Sequence, residues 1–288
     1  VRLATYGIRF DLVNSLLKSC FYESCQLSSW ARDLRYKCVG LLTSASKSSL
    51  DFLLPPRCLI CSAATDRGGA YCPNCWKDLP LIERPFCEQL GIPFVHHMGA
   101  GALSPKAISD PPLFARSRSA TLFSGSAREC VHKLKYGRRR ELAKPMAEMM
   151  VRAGKDILQE RSIIIPVPLH WTRLVERRFN QAADLANEIA AYTGYPIEIS
   201  GLQRTRRTQN QVGLTGKERA KNVRGAFRVK AASAPVISSQ RVLLVDDVFT
   251  TGSTVRTCVR ALLSAGASSV DVLTFSMADT TANQTNLP

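Results

Sequence analysis

The chain has 288 residues, 45% hydrophobic and 22% charged, which suits one or two soluble globular domains with a substantial core. Thirty-nine Lys and Arg against 23 Asp and Glu leave a formal charge of +16, favouring polyanionic partners such as nucleic acid, phosphorylated metabolites or an acidic membrane surface. No apolar run approaches the length of a bilayer span, and ten cysteines in so long a chain exclude a small disulfide scaffold.

Residues 1–50 are expected to form an N-terminal extension, to which no role is assigned. Arg2, Arg9 and Asp11 interrupt its apolar residues, so no secretory signal is expected and the reading is cytoplasmic. "TSASKSS" closes it as a linker. A Cys-rich, turn-rich segment over 51–95 follows, then a Gly-, Ser- and Pro-containing linker over 96–119. From 120 to 278 strand and helix signals alternate. "ELAKPMAEMMVRAGKDIL" (141–158) is helical in composition, and "SIIIPVP" (162–168) is a buried strand stopped by prolines. Ala182, Leu185, Ala186, Ile189 and Ala190 share one helix face. "RVLLV" (241–245) is a second buried strand, "STVRTCVRALLSAGA" a helix closed by Gly266, and "SVDVLTFSMA" (269–278) a third strand. The alternation predicts an α/β fold with a doubly wound, mainly parallel sheet. The tail 279–288 is polar and expected to be disordered. No internal repeat is legible.

Cys58-x2-Cys61-x10-Cys72-x2-Cys75 forms two CxxC turns. Each presents two thiolates on one side of a tight loop, and two such turns facing each other make a tetrahedral Zn²⁺ site. A structural zinc that holds together a segment too small for its own core is the plainer reading; a direct binding role and a redox dithiol stay open beside it. Cys87 stands alone as a thiol, a core residue or a remnant of another site. Cys20, Cys25, Cys38, Cys130 and Cys258 have no metal spacing, and Cys258 falls on the apolar face of its helix.

"RVLLVDDVFTTGST" (241–254) poses a different problem, because adjacent carboxylates repel. In a doubly wound sheet ligands bind beyond the carboxyl ends of the strands, where this strand delivers Asp246 and Asp247. Thr250, Thr251, Gly252, Ser253 and Thr254 then enter a helix, whose N-terminal amides and hydroxyls suit a phosphate. A sugar phosphate satisfies both halves: its hydroxyls donate to the acids and its phosphate accepts from the amides. A solvated acidic cap is the alternative.

That stretch resembles the PRPP (5-phosphoribosyl diphosphate) loop of type I phosphoribosyltransferases. "HKLKYGRRRELAKPMA" (132–147), "IPVPLHWTRLVERRFNQAADLA" (165–186) and "RTRRTQNQVGLTGKERAKNVRGAF" (204–227) are similar, in order, to blocks of the ComF (competence protein F) family, and the Cys pairs to its N-terminal zinc ribbon. The resemblance covers about residues 50 to 278. It implies a type I phosphoribosyltransferase-like domain at 120–278 and a role in natural competence and the handling of imported DNA. It also implies that Asp246 and Asp247 hold the ribose hydroxyls and act as the catalytic acids, with Thr250 to Thr254 on the 5-phosphate. Pro168, Leu169, His170 and Arg173 would face pyrophosphate, and Mg²⁺ would be held mostly through PRPP oxygens. The implied catalysis is stabilisation of charge as pyrophosphate leaves and an oxocarbenium-like ribose forms.

Three departures stand out. Arg178 replaces the glycine of the family's Arg-Gly-Phe-Asn-Gln, which alters a turn or adds charge beside the site. Leu90 stands where many relatives have the second Cys of a further CxxC, so about one zinc per chain is expected. Thr250 stands where purine-salvage enzymes of this fold carry an acid, which argues against purine salvage and leaves the acceptor open.

Residues 201–230 hold nine Lys and Arg against Glu218, half of the net charge. With 132–140 they suggest a basic face that includes Lys135, Arg138, Arg204, Arg207 and Arg219. It serves as a solvated surface, for PRPP and pyrophosphate capture, or for single-stranded DNA; few aromatics interleave it. Two functions therefore stand: a phosphoribosyltransferase, or a non-catalytic PRPP- or nucleotide-sensing module that binds single-stranded DNA or a competence-machinery partner.

Overall fold

The structure, a computed structural model, describes residues 55–137, 139–170, 174–175, 178–205 and 225–278. The expected N-terminal extension and polar tail lie outside them. Two short helices come first, α1 (Pro73–Lys77) and α2 (Pro105–Ser109). Each opens on a proline, which suits a first helical turn because the missing N–H has no partner there anyway. β1 (Ser117–Leu122) leads into α3 (Gly125–Tyr136) and α4 (Ala143–Ala153). β2 (Ile163–Pro166), α5 (Gln181–Thr193), β3 (Leu202–Arg204) and β4 (Phe227–Val229) follow. α6 (Ala234–Ile237), β5 (Arg241–Phe249), α7 (Ser253–Ser264) and β6 (Ser269–Met277) complete the series. The span 96–119, expected as a linker, thus holds α2 and the start of β1.

The main sheet has the order β1-β6-β5-β2 with every pairing parallel, and β3 pairs antiparallel with β4 beside it. Its strands read as aliphatic runs because both faces are covered. On one face Leu243, Val245, Leu273 and Phe275 pack with α3, α4 and α5. On the other, Val242, Leu244, Val270 and Val272 pack with Val255, Val259 and Leu262 of α7. The doubly wound expectation holds. β5, however, continues four residues past Val245, through both acids to Phe249.

A repeat that the side chains conceal is written in the backbone of residues 56–109. Cys58 N–H donates to Ala63 O (2.7 Å) and Thr65 N–H to Pro56 O (2.9 Å). Twenty-nine residues on (58 to 87), Cys87 N–H donates to Ile92 O and Phe94 N–H to Pro85 O, both at 2.8 Å. Arg57 bridges Ala64 as Phe86 bridges Pro93. Leu59 N–H reaches Ala70 O as Glu88 N–H reaches Ala102 O, two residues before the helices α1 and α2 are capped by Cys72 and Ser104. The expectation of no internal repeat is corrected: two ribbons of one design lie in tandem.

The ribbons wrap the edge strand. Ile82 N–H donates to Ala120 O and Leu122 N–H to Pro80 O, both at 2.9 Å, so the connection between ribbons pairs with β1 and closes an edge that would otherwise invite another strand. The first ribbon joins the α3–α4 core and the second joins the α7 core. Between them Arg118, 1% exposed, is held from all sides. It donates to Asp156 (2.6 Å), to the Glu88 carboxylate (3.0 Å) and to Glu88 O (2.8 Å), and stacks 4.7 Å from the Phe86 ring centre.

Removing one member of a buried charge cluster leaves the others desolvated and unpaired. Arg118→Met is expected to cost about 3 kcal/mol, read as a lower denaturant midpoint at unchanged slope; a midpoint within error of the wild type would show that the cluster is dispensable.

Candidate ligand site at the carboxyl edge and the cysteine cluster

Because β5 runs through both acids, alternate residues face opposite sides of the sheet, and Asp246 and Asp247 diverge. Asp247 lies on the α3 side, 8% exposed, where Lys135 Nζ approaches its Oδ1 at 2.8 Å. Asp246, half-buried, lies on the α7 side within the field of Arg204, and its Oδ1 accepts from Asp247 N–H at 2.8 Å. Burial and the Asp247 charge push its carboxyl up to about 7, against the opposing pull of Lys135, that amide and Arg204. Of the basic face read from sequence, Lys135 and Arg204 are therefore counter-charges to the acid pair; Arg138, Arg207 and Arg219 lie outside the described residues.

Beyond Phe249 the chain turns into α7. Gly252 has φ +75°, and an added Cβ would stand 3.0 Å from the Phe249 ring, so the turn excludes a side chain on two counts. Thr251 and Ser253 share a hydroxyl hydrogen bond of 2.9 Å. Thr250, Thr251, Ser253 and Thr254 are half-buried around the opening turn of α7, whose first amides have no partner within the helix. Next to β5, Val167 N–H donates to Val245 O (2.8 Å), carrying Pro168, Leu169 and buried His170 along the same edge. Arg173 is outside the described residues. Asn180, which the sequence reading passed over, ties this edge to α5: its amide donates to Val167 O (3.1 Å) and its oxygen caps Ala182 N–H (3.2 Å). Arg178, at φ +66°, occupies the left-handed region that glycine enters freely.

The four thiols of Cys58, Cys61, Cys72 and Cys75 lie within 4.8 Å of one another, and among the described residues they are the one cluster of metal-ligating type. Burial raises the Cys58 thiol, but the amides of Cys61, Cys72 and Ile60 outweigh it and hold it down at about 6. Sulfur held as thiolate by backbone donors and facing three more thiols fits Zn²⁺.

The ribbon also grips α3. Asp78 accepts from Ser126 N–H (2.8 Å) and Oγ (2.9 Å) at the start of that helix. Near its end Lys133 donates to Ile60 O and Arg139 to Leu59 O (3.3 Å). From sequence Lys133 and Arg139 were legible only as members of the basic stretch 132–140, and Asp78 not at all, since the contacts join positions far apart in the chain. Among the described residues no helix is long and apolar enough to cross a membrane.

A double zinc ribbon domain matches residues 49–106 and a phosphoribosyl transferase domain residues 180–283. DNA utilization protein YhgH of Escherichia coli (strain K12) is 28% identical over 75% of this chain and 87% of its own length. Competence protein F of Haemophilus influenzae is 30% identical over 49% of this chain and 64% of its own. Competence protein ComFC of Bacillus subtilis is 25% identical over 70% and 82%. Among solved structures, the glutamine phosphoribosylpyrophosphate amidotransferase from B. subtilis matches at TM-score 0.34 and 22% identity, over 50% of this chain. The match spans 30% of the amidotransferase.

Two substitutions test the local physics. An Asp whose carboxyl is raised on folding favours the native state below its unfolded value near 3.9 and loses that advantage as pH rises towards about 7. Asp246→Asn should therefore be more stable than the wild type at pH 8, by about 2 kcal/mol, with the difference vanishing near pH 4; urea titrations at the two pH values measure it. Arg178→Gly relieves a left-handed side chain at the cost of a freer unfolded chain, for a net gain of about 0.5–1 kcal/mol readable in the same assay.

Proposed function

We propose, for a chain that is a homologue of competence protein F, ComFC and YhgH and carries a double zinc ribbon and a phosphoribosyltransferase domain, that it binds PRPP with Mg²⁺ at the carboxyl edge of β5 and transfers the phosphoribosyl group in the context of DNA utilisation and competence. The observation that carries the reading is the meeting, on one strand–turn–helix, of an acid pair and the opening turn of α7 around Gly252. Hydroxyl donors and a phosphate need those two environments a few ångströms apart.

In this reading Asp246 and Asp247 accept from the ribose 2′- and 3′-hydroxyls. The amides and hydroxyls of Thr250 to Thr254 hold the 5-phosphate, as the amino end of a helix favours an anion. Pro168, Leu169, His170 and Arg173 face the pyrophosphate, and Mg²⁺ would be held mostly through PRPP oxygens with one or two carboxylates, where it would offset negative charge. An acid pair in which the Asp246 carboxyl is pushed up to about 7 suits a ligand that brings hydroxyl donors and a cation together. Lys135 holds Asp247 until that ligand arrives. The C1–O bond then breaks with its electron pair leaving on pyrophosphate, and the acids stabilise the positive charge that develops on the ribose. Thr250 supplies no acid for a purine acceptor, which argues against purine salvage and leaves the acceptor open.

Calorimetric titration of PRPP in the presence of Mg²⁺ tests the binding. Losing one charged acceptor is worth about 1.5–3 kcal/mol, so Asp247→Asn should weaken the wild-type affinity about 10- to 100-fold. No wild-type isotherm, or equal affinity in the variant, overturns the reading. Pyrophosphate release separates the two functions left open by the sequence: binding without release assigns the chain to ligand sensing.

A further inference from the structure

The tandem ribbons share a backbone but not a chemistry. Aligning their hydrogen bonds puts Cys87, Leu90, Ser104 and Ala107 where Cys58, Cys61, Cys72 and Cys75 stand in the first ribbon. Cys58 Sγ accepts from Ile60 N–H (3.4 Å) and Cys72 N–H (3.3 Å). Cys87 Sγ accepts from Leu90 N–H (3.4 Å) and from Ser104 N–H (3.2 Å), at the position matching Cys72. Pro73 and Pro105 begin the two following helices at the same step. The thiolate nest of a zinc turn has thus been kept around Cys87.

The rest of the donor set does not fit a metal. Leu90 and Ala107 offer no donor atom, and one thiol with one hydroxyl falls short of the four ligands of a structural zinc. Ser104 is also engaged elsewhere: its Oγ accepts from Ala107 N–H at 3.3 Å and caps α2, whereas Cys72 makes no side-chain cap on α1. Cys87, Leu90, Ser104 and Ala107 are all 4% exposed or less. Together with Phe114 their apolar members run into Phe249, Val255 and Met277.

We propose that the second ribbon is a zinc ribbon that folds without zinc, its ligand places filled by an apolar plug that braces the ligand loop. Phe114 meets Phe249 edge to face at 6.1 Å, Leu90, Ile92 and Phe114 border Thr250 to Gly252, and Asp110 holds Arg256 of α7 at 2.6 Å. The plug does for the turn before α7 what a zinc ion on the four thiols would do for the helix that carries Lys135. A zinc ion in the second ribbon would need three thiols where this chain has a leucine, a serine and an alanine.

Zinc content per chain, measured on desalted full-length protein by mass spectrometry, decides the matter. Cys87→Ala should retain all the zinc of the wild type, while Cys75→Ser should lose about one equivalent. The triple variant Leu90→Cys, Ser104→Cys, Ala107→Cys should gain about one, and cobalt substitution should show a matching rise in thiolate charge-transfer absorbance. Loss of zinc in Cys87→Ala overturns the proposal, and so does a folded triple variant with unchanged zinc. Should the triple variant fail to fold, the Cys87→Ala result stands alone as the decisive one.

Discussion

The grip of the first ribbon on α3 is the constraint from which the acidic edge takes its form. Asp78 caps the helix at Ser126, and Lys133 and Arg139 place their charges on carbonyl oxygens of the first cysteine turn. The buried face between them, Ala127, Cys130, Val131 and Leu134, packs into a core shared with Cys58, Cys72 and Cys75. With both ends and the middle held, Lys135 has little choice of position and meets Asp247 at 2.8 Å. The ribbon thus acts on the site by locating one charge; the cysteines themselves lie elsewhere.

A sheet that delivers two adjacent acids to its edge accepts an electrostatic cost, and the alternation of β5 divides it. One carboxylate goes to each face; Lys135 from α3 pairs with Asp247 and also pulls on Asp246, to which Arg204 from β3 adds a smaller pull. The division is incomplete. Burial and the neighbouring charge still lift Asp246 into the neutral range, so the edge holds stored repulsion that a donor-rich, cation-bearing ligand would relieve.

The two ribbons divide the support of that edge between the faces of the sheet. One contributes to the α3 side through thiols that fit zinc, the other to the α7 side through an apolar plug. Small ribbons lack a core of their own and need either metal or burial. Here the second has burial, because Leu90, Ala107 and Phe114 merge with the larger core. Arg118 then fixes the second ribbon to β1 and to Asp156, behind α4.

Much of this was legible in the chain. The CxxC spacing specified the thiol cluster because ligand geometry is local, and the aliphatic runs specified buried parallel strands because a covered sheet admits little else. The acid pair followed by Thr and Gly identified the edge, since strand, turn and helix are contiguous there. The tandem ribbon escaped because its repeat lies in backbone hydrogen bonds, with only Pro-x-Cys and the helix-opening prolines surviving as side-chain signals. Lys135 and Arg204 were visible as charge, but their nearness to the acid pair was not, because what they face depends on α3 and β3 folding against β5. The sequence by itself determined which groups are available and, through short-range periodicity, the element that carries each. Only the tertiary structure decided which charge meets which carboxylate and which ribbon can do without metal, because both outcomes depend on contacts between residues far apart in the chain, Lys135 with Asp247 and Phe114 with Phe249 among them.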